Sequence, residues 1–461
     1  MKIYILALTI LSIGNVYSVT KSRFEELELF NKVLYLIESQ YYREVDTNKL
    51  IEGALKGMMD TLDPHSAYLD KEFFKKMQND TDGEFGGLGI EVTQKDGVLY
   101  VVTPIDDTPA YRAGIRPKDK IVEINHEPII GLTLDESIER MKGKPGAKIH
   151  LGISREGIKG IKHFDLKREL IKIKPVKSAL IKEQFAFIRL TQFQRRAASS
   201  IGKALKKLKK EAKKNGGLKG IILDLRSNPG GLLDQAVDVS SLFLKEGVVV
   251  STEARDPNNK DIRYVKKSGY KDLKTPMIVL VNGASASASE IVAGALQDHK
   301  RALIMGSQTF GKGSVQTVAK IDDQNGVKLT IAQYMTPKNR KIQALGIEPD
   351  ISLSEVDAKV VAQNKAEDGF VREKDLRNHL TATIETPEEK KRRIKEEREA
   401  RLARAKRIKE SKKKDKNKSE SENIFKKYDP KEDYQVLQAV NYLRSFQVYK
   451  MFESAKVENK K

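Results

Sequence analysis

Residues 277–290 read Met-Ile-Val-Leu-Val-Asn-Gly-Ala-Ser-Ala-Ser-Ala-Ser-Glu, an apolar run followed by a turn of small residues. The five apolar residues lack the alternation of a half-exposed strand, so they predict a strand that is buried on both faces of an α/β layer. Beyond the turn, Ile291, Val292, Ala295 and Leu296 recur at helical spacing. This strand–turn–helix unit predicts an α/β domain around it.

The same alternation of strands and helices continues on both sides, and we assign residues 157–355 to this domain. The predicted strands are 185–190, 220–225, 248–250, 277–281, 302–305 and 328–334, with helices at 201–214, 232–244 and 289–299. Upstream, residues 83–156 change to short β segments with turn signals such as Asp96-Gly97, which indicate a small β module. Its last strand is expected at 148–153.

The two ends of the chain have different patterns. Residues 1–18 combine Lys2, an apolar run at 3–13 and the small residue Ser18, which predicts a cleaved secretory signal peptide. A buried N-terminal element and an uncleaved anchor remain alternatives. Helical spacing runs through residues 22–82, where Asp46 suits a helix N-cap. Residues 356–433 are expected to form a charged linker, and 434–461 a terminal helix that docks on the protein.

The chain has 461 residues, 85 Lys and Arg against 64 Asp and Glu, and no cysteine. The lack of cysteine excludes disulfides, thiolate metal sites and a cysteine nucleophile. Much of the net charge of +21 lies in residues 388–418 and on the helix at 201–214. Neither segment interleaves aromatic residues or glycines with its basic residues, so nucleic-acid binding is disfavoured. A solvated surface is the simpler interpretation, and an anionic partner is the alternative.

Three segments carry residues that suit catalysis. The turn at 282–290 offers serine hydroxyls beside the unpaired N–H groups of a helix N-terminus, which favour developing negative charge. Lys312 lies between two glycines after a predicted strand, and a buried, neutral lysine can act as the base for a serine. The Pro-Gly-Gly turn at 229–231 can direct N–H groups towards an oxyanion. Each segment, taken alone, also fits an ordinary loop.

Taken together, these segments resemble the C-terminal processing peptidases, which are Ser/Lys endopeptidases with an embedded PDZ domain. The resemblance spans approximately residues 30–351 and depends on six motifs that occur in the family's order. The motifs are Leu-Asp-Pro-His-Ser-Ala-Tyr-Leu at 62–69, Phe-Gly-Gly-Leu-Gly-Ile at 85–90, Asp-Leu-Arg with Asn-Pro-Gly-Gly at 224–231, Ser-Ala-Ser-Ala-Ser-Glu at 285–290, Thr-Phe-Gly-Lys-Gly-Ser-Val-Gln at 309–316 and Gly-Ile-Glu-Pro-Asp at 346–350.

The resemblance implies a role for each matching residue. Ser287 matches the nucleophile, Lys312 the general base and Gln316 the residue that orients the lysine. Glu290 matches a supporting acidic residue of the site. The backbone N–H groups that match the oxyanion hole belong to Gly230, Gly231 and Ala288. No metal or organic cofactor is implied.

The module at 83–156 resembles a PDZ domain, whose backbone N–H groups grip a C-terminal carboxylate while the peptide adds as a strand. The residues that match its carboxylate-binding loop are Gly86, Gly87, Leu88, Gly89 and Ile90. Arg168, in the connector to the α/β domain, is our candidate for coupling peptide binding to catalysis. The alternative is a PDZ fold that serves only packing.

The expected fold class is therefore α/β within an α+β multidomain chain. It comprises an N-terminal helical segment, a PDZ module resembling a β-barrel, an α/β catalytic domain of the ClpP/crotonase type and a basic C-terminal tail. We expect a secreted serine endopeptidase of the bacterial periplasm or cell envelope that recognises apolar C-termini. An adaptor protein, a homodimer and peripheral association with an anionic envelope are the expected partners. The alternative function is a catalytically silent PDZ scaffold.

Overall fold

A computed structural model describes residues 23–354 except 72, 74–76, 78–82, 96, 257, 323 and 324. It also describes 371–376, 378–382, 386, 388–389, 391–393, 395 and 428–458, with side chains up to 449. The predicted signal peptide and most of the basic stretch at 388–418 lie outside these residues. Within the described parts, no helix is both long enough and apolar enough to cross a membrane.

The described residues 23–61 belong to one unit, which contains two helices. Helix α1 spans Arg23–Gln40 and has no buried residue; its Phe24 side chain is 81% exposed. Helix α2 spans Thr47–Asp60. The predicted N-cap is confirmed, because Asp46 accepts the backbone N–H of Asn48 at 2.9 Å.

The described residues from 62 onwards belong to a second unit, and a PDZ-like β module lies in its first part. Strand β1 (Ala67–Leu69) precedes the module and pairs outside it. In chain order the elements of the module are β2 (Glu84–Gly87), β3 (Ile90–Lys95), β4 (Val98–Pro104), α3 (Pro109–Arg112), β5 (Lys120–Ile124), β6 (Glu127–Pro128), α4 (Leu134–Met141), β7 (Lys148–Ser154), β8 (Ile161–Lys167) and β9 (Glu169–Lys172). One antiparallel sheet has the order β3-β4-β5-β7-β8 with β6 beside β5, and β2 pairs with β9.

The predicted end of this module is wrong. Strand β8 pairs along its whole length with β7, so the sheet continues past the predicted last strand at 148–153 and past residue 156. The alternation along β8 buries Phe164 and Leu166 in the module's core, with charged or polar residues between them. Those intervening charges concealed the strand in the sequence.

The α/β domain follows the β module. Its elements are β10 (Val176–Ile181), β11 (Phe185–Leu190), α5 (Ala197–Ala212), β12 (Gly220–Asp224), α6 (Leu233–Ser241), β13 (Val248–Ala254), β14 (Lys260–Tyr264), β15 (Met277–Val281), α7 (Ala288–Asp298), β16 (Leu303–Gly306), β17 (Ser314–Lys320), β18 (Gly326–Met335) and β19 (Ile351–Ser352). Helix α8 (Tyr434–Glu458) completes the described chain.

The central sheet has the order β10-β11-β12-β15-β16-β19 and is parallel except for β10. All residues of β12 and β15 are buried, as their continuous apolar runs predict. One face packs against α5, α6 and α7, and the other carries the apolar side of α8. A second sheet joins β1, β18, β13 and β14, with β17 beside β18. The strands β12 and β15 therefore end side by side, which brings the turns that follow them together.

Candidate active site

Ser287 lies in the turn between β15 and α7, immediately before the helix begins. Its φ of 54° and ψ of −113° place it in a region that residues with a side chain rarely adopt. Such a conformation persists only where surrounding contacts enforce it, and it is concentrated at functional sites. The turn that opens this helix is therefore held in a strained form at one serine.

The three alternating serines of this turn are used differently. Ser285 donates its hydroxyl to the carbonyl oxygen of Leu225 at 2.8 Å, and Ser289 donates to that of Asn228 at 2.9 Å. Both serines are fully buried, whereas Ser287 is partly exposed. The outer two hydroxyls thus connect the turn to the loop after β12. Of the three serines, only Ser287 is partly exposed to solvent.

Glu290 connects the serine segment to the lysine segment. Its Oε2 accepts the backbone N–H of Ser287 at 2.8 Å and that of Lys312 at 2.9 Å. Its Oε1 accepts the N–H of Gly311 at 2.7 Å and the hydroxyl of Thr309 at 2.5 Å. Burial raises the pKa of this fully buried carboxyl to about 7, although these hydrogen bonds oppose the rise. One side chain therefore fixes the backbone on both sides of the candidate site.

Lys312 is partly buried in the loop between β16 and β17. Burial lowers the pKa of its amine, and the positive charge of Lys328 lowers it further. The acidic groups of Glu373, Asp63 and Glu290 act in the opposite direction. The net shift is downward, which favours the neutral amine that a general base requires.

The sequence interpretation missed the acidic surroundings of this lysine. Glu373 is fully buried, although it lies in the predicted charged linker at 356–433, so that prediction is wrong at this residue. His65 Nε2 lies 2.8 Å from its Oε2, and Gln343 donates to its Oε1 at 2.9 Å. Gln343 Oε1 in turn accepts the N–H of Gly313 at 2.9 Å. A chain of side chains therefore connects the segment beyond β19 to the lysine loop.

Gln316 lies on β17, four residues after Lys312. Its amide Nε2 donates to Ser314 at 2.9 Å and to Thr330 at 3.3 Å. Thr330 also donates its hydroxyl to Asp63 at 3.0 Å. No hydrogen bond joins Gln316 to Lys312 within the described residues. The structure therefore places Gln316 in the polar network near the lysine without bringing the two side chains together.

The glycine turn after β12 lies directly against the serine. A side chain at Gly230 would place its Cβ 2.8 Å from the Cβ of Ser287 and 3.0 Å from the nitrogen of Ala288. The N–H of Gly230 donates to Asn228 Oδ1 at 2.9 Å, so it is engaged in this conformation. The N–H groups of Gly231 and Ala288 make no hydrogen bond among the described residues. These two donors are the ones that remain available near Ser287.

The predicted carboxylate-binding residues lie between two strands of the PDZ-like module. Gly86 and Gly87 end β2, Leu88 is buried, and Ile90 begins β3, an edge strand of its sheet. Gly89 has a φ of 74°, and its carbonyl accepts the N–H of Ile105 at 2.8 Å. Partly buried apolar side chains of β3 and α4, namely Ile90, Val92, Leu134 and Ile138, pack against the core of the module.

Arg168 lies between β8 and β9 and is only 8% exposed. Its guanidinium donates to the carbonyl oxygens of Met141 at 3.0 Å, Lys148 at 3.0 Å and Arg140 at 2.9 Å. Burial lowers the pKa of this guanidinium. The two contacts at residues 140 and 141 cap the last turn of α4. In this conformation Arg168 is tied to the PDZ-like module and not to the reactive turns.

Comparison with known proteins adds independent findings. The model for peptidase family S41 matches residues 184–353, that for a PDZ domain matches 86–163, and that for the activating protease CtpB N-terminal domain matches 10–73. A carboxy-terminal-processing protease from Bartonella bacilliformis is 43% identical over 79% of this chain and 83% of the relative. Carboxy-terminal processing protease CtpA from Bacillus subtilis is 37% identical over 72% of this chain and 69% of the relative.

Among solved structures, a photosystem II D1 C-terminal processing protease is 28% identical, with a TM-score of 0.43 over 71% of this chain and 93% of that protein. The fold and the family matches together define a serine-type peptidase with a PDZ domain. More particularly, the chain belongs to peptidase family S41, among the carboxy-terminal processing proteases. The family and the mixed helix-and-sheet fold inferred from the sequence are confirmed.

Proposed function

We propose that the protein is a secreted endopeptidase in which Ser287 is the nucleophile and Lys312 the general base. The observation that carries this proposal is the position of Glu290, which binds the backbone N–H of both residues through one oxygen atom. The partial exposure of Ser287 and the lowered pKa of Lys312 add the chemical properties that the two roles require.

The mechanism follows from these properties. Neutral Lys312 takes the hydroxyl proton of Ser287 as the serine oxygen bonds to the carbonyl carbon of a peptide. Backbone N–H groups of Ala288 and Gly231 hold the resulting oxyanion, each contributing about 2.7–4 kcal/mol by analogy with known oxyanion holes. Protonated Lys312 then gives its proton to the departing amine as the C–N bond breaks. Water hydrolyses the remaining ester and regenerates Ser287.

The supporting residues have more specific proposed roles. Glu290 holds the two reactive segments in register. Gln316 orients Lys312 once substrate has entered, when the Oε1 atom of its amide can accept from the protonated amine. Gly230 contributes its N–H to the oxyanion only after Asn228 releases it, because this N–H is engaged here.

We further propose that the PDZ domain selects substrates with apolar C-termini. The edge of β3 offers backbone groups to an added strand, and a groove proposed between β3 and α4, lined by their partly buried apolar side chains, would take the last side chain of a peptide. Arg168 is proposed to transmit occupancy of this groove, and its cap on α4 from the connector that leads into β9 supports this role.

Cellular context is also part of the proposal. The N-terminal sequence supports secretion to the periplasm or cell envelope, and the basic stretch at 388–418 supports peripheral association with an anionic surface. The exposed apolar side chains of α1 support a homodimer formed through this helix. An adaptor that delivers substrates is compatible with the match to an activating protease N-terminal domain.

The central test uses purified wild-type protein, Ser287→Ala, Lys312→Ala and the control Lys338→Ala, whose side chain is exposed. Each is incubated with an unfolded protein that ends in apolar residues, and fragments are identified by mass spectrometry. Cleavage by the wild type and the control, with loss in both site variants at unchanged thermal stability, is expected. Binding of the substrate by the wild type without cleavage would instead identify a PDZ scaffold.

A further inference from the structure

The segment that leads into α8 makes direct contact with the loop that carries the glycine turn. Arg226 lies in that loop and is 8% exposed. The guanidinium of Arg226 donates two hydrogen bonds to Asp433, at 3.2 Å and 2.9 Å. Gln435 accepts a third at 2.8 Å, and the hydroxyl of Tyr428 a fourth at 3.1 Å. Several acceptors around one planar guanidinium fix both the position and the orientation of the arginine side chain.

The guanidinium of Arg226 also forms hydrogen bonds with a residue of the central sheet. Asp224, the fully buried last residue of β12, accepts from Nε of Arg226 at 2.9 Å and from a terminal nitrogen at 2.9 Å. It also accepts the backbone N–H of Arg226 at 3.0 Å. Burial opposes the charge on Arg226, but the carboxylates of Asp224 and Asp433 raise its pKa overall. Arg226 is therefore clamped between the sheet and the C-terminal segment.

The residues after Arg226 lead directly to the candidate nucleophile. Ser227 donates its N–H to the side chain of Asn282 at 2.9 Å. The carbonyl of Asn228 accepts the N–H of Ala286 at 3.0 Å and the hydroxyl of Ser289 at 2.9 Å. These contacts flank Ser287 on both sides. A shift of Arg226 would therefore move the backbone on which the serine turn rests.

The C-terminal segment is anchored independently of these charges. Val436, Ala439, Val440 and Leu443 of α8 are buried against the outer face of the central sheet. Their apolar burial supplies the favourable free energy of docking. A buried ion pair is by itself weak evidence of stabilisation, because desolvation offsets much of the attraction. The clamp on Arg226 is therefore better explained by placement than by stability.

We propose that residues 428–443 are a positioning element of the active site, with Asp433 as the residue through which the segment acts on Arg226. The segment holds the loop at 226–231 against the serine turn and so keeps the oxyanion donors in place. This inference rests on the proposed role of Ser287. It predicts that loosening the clamp impairs the chemical step more than substrate binding.

The test uses full-length Asp433→Ala and Asp433→Asn, with Asp429→Asn as the control. Asp429 lies in the same segment but is exposed and caps only the N–H of Lys431, at 2.9 Å. Because the donors are displaced and not removed, we expect Asp433→Ala to lower kcat by on the order of tenfold, with KM changed less than about twofold. Asp433→Asn retains an acceptor and should recover part of kcat.

Two further measurements separate positioning from a general loss of structure. Affinity for a peptide aldehyde, which forms an oxyanion on the serine, should fall in parallel with kcat, while affinity for the unmodified peptide stays constant. In a double-mutant cycle, Asp433→Ala should cause no further loss in an Arg226→Met background, where no cation remains to contact Asp433, if it acts through Arg226. Thermal unfolding of every variant provides the check on folding.

The proposal is overturned if Asp433→Ala retains wild-type kcat, if KM rises while kcat is kept, or if the effects of the two substitutions simply add. An equal loss in Asp429→Asn would also overturn it, because that residue does not touch Arg226. If the proposed function itself is wrong, the experiments give a different result. In that case the wild type cuts nothing, or Ser287→Ala cuts as well as the wild type.

Discussion

The backbone N–H of Lys312 donates to Glu290 at 2.9 Å, so the loop that carries the candidate base is attached to the first turn of the helix that follows the candidate nucleophile. The same oxygen accepts the N–H of Ser287. The two candidate segments are therefore linked by one buried carboxyl, in addition to the N–H of Phe310, which donates to the carbonyl oxygen of Ser285 at 3.0 Å.

Replacement of Glu290 by Gln tests this arrangement. An amide keeps the size but cannot accept all four hydrogen bonds, and a buried donor left unpaired costs about 1–3 kcal/mol. We expect a lower free energy of unfolding and a fall in kcat. Above about pH 7, where Glu290 is ionised, loss of its charge should also lower the pKa of Lys312 and shift the rising limb of kcat/KM to lower pH.

The pH profile of that variant and its unfolding curve in urea are the measurements. Glu348→Gln, which changes an exposed carboxyl, is the matched control. A wild-type profile in Glu290→Gln would contradict the electrostatic part of the prediction.

Substitution of Lys328 should shift the pKa of Lys312 in the opposite direction, upward. Its positive charge contributes to lowering the pKa of Lys312, so Lys328→Gln should raise that pKa. Because only the neutral amine acts as a base, the rising limb of kcat/KM should move to higher pH. Lys338→Gln, an exposed control, should leave the limb in place. A shift to lower pH in Lys328→Gln would show that another group controls this limb.

Gly230 provides a steric test of the glycine turn. Its φ is 104°, and an added Cβ would lie 2.8 Å from the Cβ of Ser287 and 2.8 Å from the carbonyl oxygen of Ala286. Gly230→Ala should therefore abolish measurable cleavage. Gly217→Ala shares a positive φ, 87°, but its added Cβ meets nothing within 4 Å, so this control should lose only about 1 kcal/mol of stability.

Substrate cleavage and thermal unfolding of both alanine variants distinguish the two effects. If Gly230→Ala cleaves as well as Gly217→Ala, the collision with the serine turn has no catalytic consequence.

Arg168 tests the coupling between the PDZ domain and catalysis. Arg168→Ala removes three hydrogen bonds from carbonyl groups around the end of α4, so the groove should lose its shape. We expect weaker binding of a peptide with an apolar C-terminus and loss of any stimulation of cleavage by that peptide. Fluorescence anisotropy and peptide-stimulated cleavage measure the two quantities.

Arg116→Ala, at an exposed position of the same module, is the control. Unchanged stimulation in Arg168→Ala would rule out this residue as the coupling element.

Much of the site was predictable because its residues follow local patterns. The strand at 277–281 has the predicted bounds, and α7 and β16 begin and end within a residue of the predicted ones. Continuous apolar runs and small-residue turns produce such signals within a few positions of the chain. The serines of the turn at 282–290 and Lys312 could therefore be singled out as reactive candidates from the sequence, and the resemblance to the family selected Ser287 among the serines.

The rest depended on contacts between residues that are distant in the chain. Glu373 and Asp433 lie in polar stretches, where a residue that will be buried cannot be told from its solvated neighbours. Their partners His65 and Arg226 are 308 and 207 residues away. The hydrogen bond from the N–H of Gly230 to Asn228 could not be predicted from the sequence either, because it depends on the rotamer of Asn228.

Glu290 holds Ser287 and Lys312 only through their backbone N–H groups, which every non-proline residue possesses. The hydrogen bonds from Glu290 to the backbone therefore do not depend on the two side chains that would perform the reaction. A chain with alanine at position 287 should keep its reactive loops in place and still accept polypeptides that it cannot release as fragments. Such a variant should serve as a substrate trap, from which physiological targets can be recovered intact by crosslinking.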